Sequence, residues 1–86
     1  MKLWILEPID DRATFELNGH TVKRWTWDCA YGFVVRAMTE DDARKHAMRE
    51  AGDEGDDAWL DDKLTSCQEL SADGEPGIVL KDFLTG

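Results

Sequence analysis

The chain has 86 residues, 42% of them hydrophobic, with four Trp, three Phe and a formal net charge of −9. That is the length of one domain with material for one small core, and too apolar for a disordered chain. Its longest apolar runs, Leu3-Trp4-Ile5-Leu6 and Phe33-Val34-Val35, fall far below a transmembrane helix. The acidity argues against direct binding to nucleic acid or to an anionic membrane surface, both of which require a basic footprint.

The charge is unevenly placed. Residues 1–52 carry eight Lys and Arg against nine Asp and Glu, a net of −1, whereas residues 53–86 carry two against ten, a net of −8. Cysteine usage is low. Cys29 and Cys67 lack C-x-x-C spacing and read as free thiols, and neither shares a zinc-type spacing with His20 or His46.

In chain order, residues 2–7 form an apolar run suited to a strand covered on both faces, which Pro8 ends. With an acid and a proline so soon after, MKLWILEP reads as a strand at the start of the protein and not as a secretory leader. The expected compartment is the cytoplasm, that of the host if the chain is phage-encoded. Asn18-Gly19 is a hairpin turn signal. A hairpin over residues 15–27 and a long loop both fit this segment; as a strand, residues 22–27 would put Trp25 and Trp27 on one face.

Residues 31–37 alternate as a strand, with Phe33, Val35 and Ala37 on one face and Val34 and Arg36 on the other. Thr39 offers an N-cap, and Glu40, Asp41 and Asp42 complement the dipole of the first helical turn. Ala43, Ala47 and Ala51 repeat every four residues, and Met48 widens that stripe, so the helix can lie close against a sheet. Gly52 is the expected left-handed terminator. Residues 53–62 then form an acidic turn, with Trp59 and Leu60 expected to anchor it through a short helical turn capped by Asp56. Residues 64–70 read as a strand, 73–77 as a turn and 78–84 as the last strand.

The order β-β-α-β-β predicts an α+β domain over residues 1–86, with a small antiparallel sheet of about four strands and one helix on one face. The expected core is Leu3, Ile5, Phe33, Val35, Ala43, Ala47, Trp59, Leu70, Ile78 and Leu80.

One constellation stands out chemically. Asp53, Glu54, Asp56, Asp57, Asp61 and Asp62 crowd a turn just past a helix C-terminus, where negative charge does not help the helix. A calcium loop beginning at Asp53 would place Ala58 where the turn needs Gly and Leu64 where it needs Glu. Paired-carboxylate catalysis needs two acids in differing environments within a cleft, and Cys29, His46 and an acid lack any family context for a nucleophile set. No enzyme, metal or cofactor is therefore expected. Dense carboxylates match the charge density of a nucleic-acid backbone and suit a basic protein surface, with Trp25 and Trp27 as candidate aromatic anchors. A merely solubilising surface stays open, as does a small interaction domain that dimerises or docks through a strand edge or an exposed Trp. The chain is expected to be a monomer or homodimer.

The pattern GFVVRAMTEDDARKHAMREAGDE, followed by SCQEL and GIVLKDF, resembles small proteins of phages and bacterial mobile elements over less than half of the chain. In size, acidity and mixed α+β character the chain is similar to compact anti-CRISPR proteins. That resemblance implies a non-catalytic inhibitor that binds a CRISPR effector subunit and blocks target DNA, using the acidic face at Asp53, Glu54, Asp56, Asp57, Asp61 and Asp62.

Overall fold

The computed structural model describes residues 1–79. Strands β1 (Lys2–Pro8), β2 (Thr14–Leu17), β3 (His20–Lys23) and β4 (Phe33–Ala37) precede helices α1 (Glu40–Arg49) and α2 (Asp57–Leu60), and β5 (Thr65–Leu70) follows. The fold is α+β, with five strands among the described residues in two small antiparallel sheets and α1 packed on the larger one. That sheet has the order β4-β1-β5, so the first strand of the chain lies in its centre. β2 and β3 form a sheet of their own.

Register decides the core. Leu6 stands opposite both Phe33 and Cys67, and Trp4 stands opposite Val35 and Glu69, which sends Trp4 and Leu6 toward the helix. Leu3 and Ile5 therefore occupy the other face. Ile5 is buried there, but Leu3 is 38% exposed, contrary to its expected place in the core. The core itself is Leu6, Trp25, Ala37, Ala43, Ala47, Ala58 and Trp59, with Phe33 and Val35 packed against it. Trp59 has no exposed surface and meets the Trp25 and Phe33 rings edge-on, at centroid distances of 6.2 and 4.8 Å. Burying an indole removes about 200 Å² from water, roughly 5 kcal/mol at about 25 cal/mol per Å².

Helix α1 follows the local signals. The Thr39 hydroxyl accepts from the Asp42 amide at 3.2 Å, and Ala43 and Ala47 are buried against the sheet. Its end differs from expectation. The helix closes at Glu50 with φ −108°, and Gly52 is not in the left-handed region. Gly52 is needed for close approach instead: a Cβ there would overlap the Asp28 carbonyl oxygen and lie 3.0 Å from its carbon.

The hairpin turn is a two-residue loop with Asn18 at φ 52° and Gly19 at φ 81°, the positive values a type I′ turn demands. β3 stops at Lys23, and the bends after it bury Trp25 while leaving Trp27 78% exposed, so the two tryptophans share no face. The hairpin stays apart from the main sheet because its inward side offers only Phe15 and Val22, both partly buried. The predicted last strand is corrected where it can be seen. Ile78 and Val79 are exposed and lie outside any strand, so Ile78 is not core; Leu80 and the rest of 78–84 lie outside the described residues. Among the described residues no helix is long and apolar enough to cross a membrane.

Candidate functional site

The six acids of the turn do not form one cluster. Glu54 is fully buried. Its Oε1 accepts from the Ala30 and Gly52 amides at 3.1 and 3.0 Å, and its Oε2 accepts from the Trp59 indole at 2.6 Å. The carboxylate thus ties the loop before β4, the end of α1 and helix α2 together, and it is not available to a partner. Trp25 is withdrawn in the same way: its indole donates to the Ala30 carbonyl at 2.9 Å, and only Trp27 of the pair reaches solvent.

Asp53 turns toward the loop before β4, where its Oδ2 accepts from the Asp28 amide at 3.3 Å and its own amide donates to the Asp28 carbonyl at 2.8 Å. Asp56 is exposed at the start of α2 and makes no side-chain capping bond. Asp57 faces Arg24, with Oδ1 and Oδ2 at 3.2 and 3.1 Å from the two guanidinium nitrogens. Arg24 also donates to the Glu54 carbonyl at 2.8 Å and stands 4.7 Å from the centre of the Phe15 ring.

Asp57, Asp61 and Asp62 line a concavity of about 740 Å³, and Glu40 and Asp41 from the first turn of α1 close its other side. Leu60, 47% exposed, lies among these five carboxylates. It does not anchor the turn on the core as expected; Trp59 alone does that. Three of the acids have a cation beneath or beside them: Glu40 pairs with Arg44 at 3.0 Å, Asp41 with Lys45 at 3.1 Å and Asp57 with Arg24 at 3.1 Å. Asp61 accepts from the Lys63 amide at 2.9 Å, and among the described residues neither it nor Asp62 makes an ion pair.

Arg44 sits at the base of the concavity and is buried. It donates to the Trp59 carbonyl, the Thr65 hydroxyl and the Thr65 carbonyl, each at 3.0 Å, while the Thr65 hydroxyl donates to the Ala58 carbonyl at 2.8 Å. This hub holds α1, α2 and β5 in fixed relation, so the acids of two helices converge by construction. Sequence reasoning missed Glu40 and Asp41 as members of this surface. Their assignment as dipole-complementing residues was sufficient locally, and only the Arg44 link reveals their second neighbourhood.

Both cysteines are free. Burial pushes the Cys67 thiol above its ordinary value of 9.0, with Glu40 adding to the rise and Arg44 opposing it. Cys29 donates to the Arg24 carbonyl at 3.3 Å, and His46 is exposed on α1. Among the described residues no three His, Cys, Asp or Glu side chains are grouped as metal ligands. No protein-family model matches the chain, and neither a curated protein nor a solved structure does.

Proposed function

We propose that this is a non-enzymatic acidic binding protein that occupies a basic surface of a nucleic-acid-handling complex and competes there with DNA by charge mimicry. The anti-CRISPR-like resemblance points to a CRISPR effector subunit as the class of partner. One observation carries the reading: acids from α1 and from the α2 turn line the same concavity around an exposed leucine. The ion pairs at Glu40, Asp41 and Asp57 order the rim, and Asp61 and Asp62 supply charge that no ion pair among the described residues satisfies. Lys and Arg side chains built to neutralise phosphates would find comparable charge here, and Leu60 would give them an apolar contact.

The test is capture of the partner from a host lysate by the wild type and by the Asp61→Lys, Asp62→Lys double variant. Charge reversal at this rim should weaken capture by about tenfold or more, and wild-type affinity should fall steeply with added salt. Asp62 is exposed and Asp61 gives up only its bond from the Lys63 amide, so the variant should melt within about 1.5 kcal/mol of wild type. Unchanged capture by the folded double variant would sink the reading.

A further inference from the structure

Helix α1 covers one face of the β4-β1-β5 sheet, and among the described residues no helix or strand packs on the other. The middle row of that face is Val34, Ile5 and Gln68: Ile5 is 8% exposed, Val34 is 55% exposed and Gln68 is exposed beside them, with Leu3 and Leu70 next along the strands. Charges of opposite sign mark its two ends. Arg36 stands opposite Leu3, and Glu7 follows two residues after Ile5; both are exposed, and neither makes an ion pair among the described residues. Four residue steps separate them along the strands, about 13 Å, with the Ile5–Val34 row midway.

We propose that this face is a homodimer interface, occupied by a second copy stacked face to face about a two-fold axis that crosses the strands at the Ile5–Val34 row. Such an axis reverses strand direction between the copies. It therefore carries Arg36 of each copy to the Glu7 end of the other, and symmetry makes the contact twice. The receiving end has room. Gly32, just before β4, has no side chain, and a concavity of about 860 Å³ opens there between Glu7, Asp10, Arg12, Tyr31 and Val34. A guanidinium arriving from the second copy would meet the Glu7 carboxylate across that space, whereas Asp10 already pairs with Arg12 at 3.5 Å.

Shape and charge also set the strength. Three strands, with β1 and β4 paired over five residues, give a face of about 15 by 17 Å, well short of the ~800 Å² per partner of a standard stable interface. A weak, fast-exchanging dimer, populated toward the top of the concentration series, is the expectation. This inference stands apart from the acidic concavity, which lies on the helical side of the sheet. Salt screens both the repulsion between copies of net charge −9 and the Arg36–Glu7 pairs, so variants separate the two readings. Arg36→Glu should weaken the dimer and leave capture of a basic partner unchanged, and Asp61→Lys with Asp62→Lys should do the reverse.

Sedimentation equilibrium of the full chain tests it with wild type, Arg36→Glu, Glu7→Arg and the double variant. The wild-type weight-average mass should climb from 9.8 kDa toward twice that value with concentration. Each single reversal should weaken the dimer by about tenfold or more, and the double variant should recover to within about threefold of wild type. Both positions of the cycle are exposed, and a melting curve for each variant confirms that it is folded. A wild type that stays monomeric at about 1 mM overturns the proposal. So does a dimer indifferent to both single reversals, or a double variant no better than either single. A monomer in which Val34→Cys, on a Cys29→Ser, Cys67→Ser background, is shielded from thiol reagents also overturns it, and gives the face to another stretch of the same chain.

Discussion

A buried carboxylate must either lose its charge or find donors, because leaving it unsolvated is far costlier than any neutral polar group. Glu54 finds three: two amides and an indole, from three different parts of the chain. Replacing it by Gln keeps the shape but turns one oxygen into an amide nitrogen, so at least one N–H would face another N–H in a dry site. Glu54→Gln should therefore cost about 1–3 kcal/mol, read as a lower midpoint in urea with unchanged slope. Asp56→Asn, at an exposed position without side-chain bonds, should stay within about 0.5 kcal/mol. Equal midpoints for the two variants would remove Glu54 from the framework. The two residues are only two positions apart, and an acidic run gives no local sign of which member turns inward. What selects Glu54 is the placement of Ala30, Gly52 and Trp59 around it, and that depends on long-range packing. Trp25 and Trp27 pose the same difficulty: alternation puts them on one face of a strand, but the strand stops at Lys23 and the bend sends them apart.

Elements whose signals are local were readable. Helix α1 has its cap, its acidic first turn and its alanine stripe within a dozen residues, and each does what its chemistry suggests. β4 alternates as its residues require, and Asn18-Gly19 makes the turn its dipeptide favours. Arg44 was not readable as a hub, since a basic residue four positions after Glu40 has a sufficient local partner; its bonds to Thr65 span 21 residues. Gly52 belongs to the same class. Its position past a helix suggests a terminator, yet the chain needs it because the Asp28 backbone crosses there, with the Asp53 amide bonded to the Asp28 carbonyl. The two accounts predict different things. A left-handed terminator tolerates Asn, whereas a close approach to backbone tolerates no Cβ at all. Gly52→Ala and Gly52→Asn should both cost about 2–3 kcal/mol, because the obstructing atoms are main chain and cannot swing aside. Thermal melts of both variants check this; a stable Asn variant beside a destabilised Ala variant would restore the terminator.

At the scale of the whole molecule, the two sheets carry different shares of the stability. The radius of gyration is 14.0 Å, against about 12 Å for a compact domain of this length; the separate hairpin and the exposed residues 71–79, which lie outside any helix or strand, both extend the molecule. A two-stranded hairpin is marginal alone in water. This one is held chiefly by Arg24, which lies on the Phe15 ring and bonds to Asp57 and to the Glu54 carbonyl. β1, by contrast, is paired on both edges and buried at Ile5 and Leu6. Native-state hydrogen exchange should then resolve two levels. Amides of β1 at Ile5 and Leu6 should open only with global unfolding, and the β2–β3 amides should open at least about 2 kcal/mol more easily. Arg24→Gln should lower hairpin protection by a further tenfold or so, since a charged bidentate contact is worth about 1.5–3 kcal/mol, while β1 loses less. The same substitution leaves Asp57 without its cation and so raises the negative charge of the concavity. If the hairpin instead exchanges at the level of β1 in wild type, the two sheets form one cooperative unit, and Arg24 joins parts of a single core.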